Sequence, residues 1–406
     1  MKIAVFTDLY LEIAGGIPSS IKAQKKSLEK MGHKVVIFCP GFEQPRDEMV
    51  VMVPTCQKIR AGGAPTARKP EVVEDFVLRR YPDFKTFDVV HVHYEAGCGI
   101  AGMRLARKFG IPLVVTMHGR EDMAVATNIP HPFRNLAGIV LNKTHAKYIP
   151  HRAKVKRDDY LADTKAKTEM WEMMVSHANY ADVVLVPGEH FAKKLKRYGL
   201  IKPTVHLSNG IDDALARLKL KPRKLEKGAP LKIVWNSRLS KEKRIMELLK
   251  ALNKINARYE LHIFGDGNEA GRAKKYVAKN KINAKFYGSV DRMTIYRAMQ
   301  KSHIVAMTSY NFDNQSMTLL EAEAMGMPVL ICDPDMKEVV CKGGAYCASG
   351  PKARDIAAVI EKIAAKPELV EKASTAMIEH RAEVFQDRQT KRLIEVYKKV
   401  IADRSA

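Results

Sequence analysis

Tyr310-Asn311-Phe312-Asp313-Asn314-Gln315-Ser316-Met317-Thr318-Leu319-Leu320-Glu321-Ala322-Glu323-Ala324-Met325-Gly326-Met327-Pro328-Val329 begins just after one short apolar run, 304–307, and leads into another, 329–332. Polar residues follow the first run. A short helical segment then ends at Gly326, before the second run begins. Runs this short and apolar suit strands buried on both faces of a parallel sheet. A strand, a polar loop, a helix stopped by glycine and a second strand make the repeating unit of an α/β fold.

The same unit recurs outward from this stretch. On its N-terminal side, 232–235, 261–264 and 284–287 read as strands with helices between them. Ahead of these the pattern breaks at 214–230. Residues 217–227 are crowded with lysine and arginine around Pro222, and Gly228 and Pro230 follow, which is linker chemistry. Further upstream, 3–7, 34–38, 89–92, 112–116 and 183–187 read as strands. The helical segments 17–31, 101–109 and 189–197 each end against a glycine, Gly32, Gly110 and Gly199. After Pro351 only helical patterns remain. At 406 residues the chain is too long for one ordinary core. The expected architecture is two facing Rossmann-like domains with parallel sheets: 1–213, a linker at 214–230, 231–385, and a C-terminal helix at 386–406 returning to the first domain.

Lysine and arginine outnumber aspartate and glutamate by 69 to 45, a formal charge of +24. Such a surplus points to nucleic acid, anionic membrane or phosphorylated substrates, or to a basic solvated surface. No compact aromatic-plus-basic recognition motif accompanies it, so no nucleic acid is expected. None of the six cysteines forms a C-x-x-C pair or has histidine at zinc-ligand spacing. They read as reduced and mostly buried, which implies a cytoplasmic protein. The N-terminus meets Asp8 before any signal-peptide apolar region develops, and no run approaches the ~20 residues that span a bilayer.

Ligands of parallel sheets bind beyond the carboxyl ends of the strands. In the quoted stretch, backbone N–H groups near Asn314, Gln315 and Ser316 would point at a phosphate. Asp313 could accept from sugar hydroxyls and Glu321 from ribose hydroxyls. Two such acids also read as surface charge, although charges in so apolar a segment need partners. After 232–235 comes Asn236-Ser237-Arg238-Leu239-Ser240-Lys241-Glu242-Lys243-Arg244. Arg238 and Lys243 suit a diphosphate and could neutralise a leaving nucleoside diphosphate in place of a metal. The other reading, a solvated basic helix start, fits Lys241 and Arg244 better than Arg238. The first strand leads through Thr7-Asp8-Leu9-Tyr10-Leu11-Glu12-Ile13-Ala14-Gly15-Gly16-Ile17. Gly15 and Gly16 open a helix as a plain turn or as a phosphate contact; the dinucleotide fingerprint is absent. His118 follows 112–116, where it could hydrogen-bond a sugar hydroxyl, accept a proton, or serve structure alone.

Taken in order, these loops resemble retaining glycosyltransferases of the GT-B fold, specifically glycosyltransferase family 4, over nearly the whole chain. The matching features are Gly15-Gly16-Ile17 with Gly32-His33, Asp88-Val89-Val90-His91-Val92-His93, Thr116-Met117-His118 and Ala181-Asp182-Val183. Beyond them come Asn209-Gly210-Ile211-Asp212, Arg238-Leu239-Ser240 with Lys243, Gly265-Asp266-Gly267, and the acidic segment. The resemblance implies that Arg238 and Lys243 grip the donor diphosphate. Glu321 matches the second acid of the E-x7-E motif, which binds the ribose. Asp313 stands where the first Glu usually sits, one methylene shorter, a change read as tuning. His118 matches the histidine near the transferred sugar, Gly16 the glycine loop beside the phosphates, and Gly265 a donor-side glycine. Same-face attack is implied, with the departing phosphate helping to deprotonate the acceptor. The paired acids of glycosidases are then not required, and neither a metal nor a further cofactor is expected.

The run 6–21 also resembles the subset that glucosylates diacylglycerol, which are peripheral membrane proteins. In 131–167, Lys143, Lys147, Arg152, Lys154, Lys156 and Arg157 are interleaved with apolar residues. That mixture suits an anionic membrane or a solvated basic helix. The expected activity is retaining transfer of a hexose from a nucleotide-sugar to a lipid acceptor such as diacylglycerol, at the cytoplasmic face of the membrane. UDP-glucose is the expected donor; other UDP-hexoses and GDP-mannose stay open. The alternatives are a soluble family 4 enzyme with a sugar or sugar-phosphate acceptor, a nucleic-acid binder, and a non-catalytic sugar-nucleotide binder.

Overall fold

The computed structural model describes residues 1–406 except 10, 13, 14, 43–45, 62, 63, 151 and 406. Tyr10, Ile13 and Ala14 of the first glycine-bearing loop therefore lie outside the described residues. The chain divides into two units, Met1–Gly210 with Gln389–Ala406, and Ile211–Arg388.

The first unit carries β1 (Lys2–Phe6), β2 (Lys34–Cys39), β3 (Val50–Met52), the hairpin strands β4 (Thr55–Ala61) and β5 (Ala64–Ala67), β6 (Val89–Val92), β7 (Leu113–Thr116), β8 (Val183–Val186) and β9 (Thr204–His206). Its helices are α1 (Gly16–Lys30), α2 (Pro70–Arg80), α3 (Gly97–Phe109), α4 (Glu121–Asn128), α5 (Arg134–Ala146), α6 (Lys165–Asn179) and α7 (Glu189–Arg197). Seven strands form one parallel sheet, in the order β3-β2-β1-β6-β7-β8-β9. Alternate residues of β1 feed opposite faces. Ala4 and Phe6 join the core with Phe38 and Phe84, while Ile3 and Val5 pack with Leu28 and Tyr397. Gly110 ends α3 in the left-handed conformation, φ 68°, which spares the side-chain clash any other residue would meet.

The second unit carries β10 (Leu231–Asn236), β11 (Tyr259–Phe264), β12 (Ala284–Gly288), β13 (Ile304–Met307), β14 (Val329–Ile331) and β15 (Ala345–Cys347). Its helices are α8 (Ile245–Leu252), α9 (Ala270–Asn280), α10 (Arg292–Gln300), α11 (Met317–Ala324), α12 (Ala353–Ala365) and α13 (Glu368–His380). All six strands are parallel, in the order β12-β11-β10-β13-β14-β15. The last helix, α14 (Gln386–Ser405), starts in this unit. From Gln389 onward it belongs to the first unit, where Leu393, Tyr397 and Val400 are buried in the core.

Two parallel-sheet α/β units are what the strand–helix alternation predicts. The division falls after Gly210, and 214–230 lies within the second unit. There Leu225 is buried, and Arg223 donates to the carbonyls of Gln300, Ser302 and Met325. A side chain counted as linker chemistry thus staples that segment to its unit. The short strands β3, β9 and β15, the β4–β5 hairpin, and helices α2 and α4–α6 have no counterpart in the sequence reading.

Candidate active site

In the second unit the strand order reverses between β10 and β13, because β11 and β12 build outward on one side and β13 to β15 on the other. Loops flanking such a reversal make the natural ligand crevice at the carboxyl edge of a parallel sheet. The loop after β10 brings Lys243, whose Nζ lies 2.6 Å from Asp313 Oδ1 in the loop after β13. Thr308 Oγ1 donates to the Lys243 carbonyl at 2.7 Å, and Trp235 Nε1 donates to Thr308 Oγ1 at 3.1 Å. Asn236 Nδ2 donates to Glu321 Oε2 at 3.4 Å, and Thr318 Oγ1 donates to the Asn236 carbonyl at 2.9 Å. A small cavity is lined by Asn236, Ser237, Lys243, Thr308, Ser316 and Thr318, among others. Helix α11 starts at Met317 with no side chain capping it, and Ser316 and Thr318 at this helix start line the cavity.

Asp313 and Glu321 are both tied to residues that line this cavity. Asp313 keeps Oδ1 on Lys243, while its Oδ2 is buried and accepts no hydrogen bond among the described residues. Glu321 is buried, with Tyr296 OH at 3.4 Å and Arg292 Nε at 3.9 Å. Burial raises its carboxyl pKa, against the opposing pull of Arg292 and Tyr296. Asn314 is buried and Gln315 half-buried in the same loop. Arg238 is placed differently. Its side chain is 68% exposed and donates to Glu242 Oε1 at 3.1 Å, and it does not line the cavity. Gly265 and Gly267 have φ of 113° and 155°, and a Cβ on either would collide with the carbonyl of Ser237 or Leu239. These glycines let the loop after β11 lie directly against the Arg238 loop, where Leu239 N donates to Asp266 O at 2.9 Å.

The first unit reverses its strand order between β1 and β6. Gly15 is extended, φ 174°, and with Gly16 opens α1 as an exposed start. His118 follows β7, its Nε2 2.8 Å from His93 Nδ1. The His93 ring lies 4.0 Å from that of His91, which bridges Thr116 Oγ1 and Tyr397 OH, each at 2.7 Å. Burial pushes His118 down to about 4 and His91 to about 3. His118 is therefore a neutral imidazole near pH 7, suited to hydrogen bonding and weak as a base.

Sequence reasoning passed over several acidic groups here, of which Glu95 is buried and Asp8 and Glu121 are half-buried. Asp8, at the end of β1, accepts from the backbone N–H groups of Ala96, Cys98 and Gly99 and so caps α3. Glu95, two residues past His93, and Glu121, the first residue of α4, also gather at this edge. Asp8's position just past a strand was the one signal available.

The basic stretch resolves into α5 and the segment after it. Phe133, Leu136, Val140 and Leu141 are exposed, Leu136 by 61% and Phe133 by 60%. Lys143, Lys147, Lys154, Lys156 and Arg157 are exposed as well. Arg152 turns inward instead, bonded to His145 and Asn142. Among the described residues no helix is long and apolar enough to cross a membrane.

Comparison with known proteins agrees with this geometry. The Glycosyltransferase Family 4 model matches residues 14–215, and the Glycosyl transferases group 1 model matches residues 217–399. The chain is thus a GT-B glycosyltransferase and belongs to family 4. It is similar to the alpha-monoglucosyldiacylglycerol synthase of Acholeplasma laidlawii, 23% identical over 368 residues, covering 85% of this chain and 83% of that protein. It is also similar to the D-inositol 3-phosphate glycosyltransferase of an Arthrobacter species, 24% identical over 346 residues, with 78% and 73% covered. The solved structure of Anabaena HepE in complex with UDP superposes with a TM-score of 0.67 at 14% identity, covering 98% of this chain and 100% of that one.

Proposed function

We propose that this chain moves glucose from UDP-glucose to diacylglycerol at the anionic inner face of the cell membrane, with retention of configuration and without a metal. The lipid acceptor rests on the exposed face of α5, where Phe133, Leu136, Val140 and Leu141 stand beside Lys143 and Lys147. Apolar side chains that a water-soluble surface would bury, mixed with cations, fit the boundary of an anionic bilayer. The name of the Acholeplasma relative supports the same reading.

In this mechanism Lys243 leaves Asp313 for the donor diphosphate, and Arg238 leaves a weak surface pair to join it. The first-turn N–H groups of α11 add further positive potential at the phosphates. Glu321, steadied by Asn236, accepts from the ribose hydroxyls, and Asp313 Oδ2 accepts from the sugar. Neutral His118 hydrogen-bonds a sugar hydroxyl. Charge building on the departing diphosphate is met by Lys243 and Arg238, and a phosphate oxygen takes the acceptor proton during same-face attack.

The test uses the purified full chain with a panel of nucleotide-sugars and vesicles containing diacylglycerol, with and without anionic lipid, in the presence of a chelator. The expected result is UDP-glucose consumption, a monoglucosyl lipid by mass analysis with the donor's anomeric configuration, and stimulation by anionic lipid. Glycosylation of a soluble sugar or sugar phosphate while the lipid stays unreacted would overturn the lipid assignment.

A further inference from the structure

The carboxyl edge of the first unit's sheet holds acids that the mechanism above does not use. Glu95 follows β6, is only 6% exposed, and its Oε1 accepts or donates no hydrogen bond among the described residues. Glu121 starts α4, accepts a hydrogen bond from Tyr94, and its Oε1 lies over Gly119, within 3.0 Å of where a Cβ would stand. Asp8 spends both carboxylate oxygens on the start of α3. Arg120 is the one lysine or arginine among residues 7–16, 93–96 and 117–122. Both its Nε and Nη2 are bound to Asp122, each at 2.7 Å, in a fully buried pair. The neighbouring His118 is neutral.

A buried carboxyl oxygen with no partner costs free energy unless a ligand completes it. Its setting decides which ligand. Two glutamates whose one basic neighbour within these loops, Arg120, is already paired disfavour a phosphate, and they offer hydrogen bonds to a hydroxyl. Resting on the glycosyltransferase reading above, we propose that Glu95 and Glu121 form the acceptor subsite, seating an uncharged hydroxyl-bearing end and rejecting a phosphorylated one. Burial and the Glu121 charge push Glu95 well above the usual carboxyl range, and burial lifts Glu121 to about 7. A carboxyl group exchanges hydrogen bonds with a hydroxyl whether it is protonated or ionised.

The experiment compares matched acceptors with the full chain: monoacylglycerol against lysophosphatidic acid, and glucose against glucose 6-phosphate. Wild type should favour the neutral member of whichever pair it turns over. Glu95→Gln and Glu121→Gln should each raise the neutral acceptor's KM about tenfold or more and narrow the neutral-to-phosphorylated ratio. UDP affinity by calorimetry should not move. Melting curves identify a misfolded variant, in which case the other one decides. Preference for a phosphorylated acceptor, or unchanged KM and ratio in the folded variants, overturns the subsite. Turnover of glucose alone, still favoured over its phosphate, sinks the lipid acceptor and leaves the subsite standing.

Discussion

Lys243 and Arg238 share a loop but differ in what else they hold. Arg238 is exposed, and its pair with Glu242 is of the kind worth about 0–1 kcal/mol. Lys243 is the ion-pair partner of a mostly buried Asp313. Arg238→Ala and Lys243→Ala should each cost about 2–4 kcal/mol of transition-state stabilisation. Only Lys243→Ala should also melt lower, because it strands Asp313, and adding Asp313→Asn should recover the melting temperature without the activity. Steady-state kinetics and thermal melts on the three variants check this; wild-type turnover in Arg238→Ala would remove that side chain from the leaving-group role. The types and spacing of these cations were legible in the chain. Their partners were not, since Lys243 and Asp313 are 70 residues apart and only the β10–β13 reversal brings them together. Glu95 was illegible for a related reason: a single acid after a strand looks like surface charge until its burial is seen.

Helix α5 shows how the same difficulty works at the level of an element. Its buried side is Gly138, Asn142 and His145, set against α6, and its exposed side holds the large apolar residues. Apolar periodicity assumes the reverse, so the sequence pointed to a basic segment without saying which way it faced. Arg152 follows from this, drawn inward by Asn142 and His145 rather than offered to a surface. The two kinds of exposed residue should respond differently to salt. Lys143→Gln with Lys147→Gln should weaken vesicle binding at low ionic strength by about 1 kcal/mol per charge, with little effect at 1 M salt. Phe133→Ser with Leu136→Ser should weaken it at both. Co-sedimentation with anionic vesicles at two salt concentrations measures this, and binding by the Phe133/Leu136 variant equal to wild type would move the contact elsewhere. By contrast, strands such as β6, β8 and β13 were readable almost to the residue, because central parallel strands are apolar on both faces.

For the whole molecule, the two-unit plan was legible from alternation, whereas the 214–230 segment was misleading because buried Leu225 and half-buried Arg223 sit among exposed lysines. A second whole-molecule property was hidden in the same way: the first unit buries His91, His93, His145 and His177 in neutral form. His177 is the cleanest probe. It is fully buried, its Nδ1 lies 3.2 Å from His145 Nε2, and its Nε2 is without a partner among the described residues. Burial lowers its pKa from 6.5 to about 3. Below pH 6.5 the unfolded chain takes up a proton that the folded one refuses. The stability this group contributes is therefore whole above 6.5 and is lost as pH falls toward 3. Between pH 7 and pH 5 the loss is about 2 kcal/mol. Half-buried acids such as Asp8 and Glu121, whose pKa values are raised, act in the opposite direction over part of this range, so the test is a difference. His177→Gln keeps a polar group beside His145 but does not titrate. Denaturant melts of both proteins at pH 7 and pH 5 should show wild type losing about 2 kcal/mol more than the variant, and equal losses would mean that His177 is protonated, or reached by water, in the folded state.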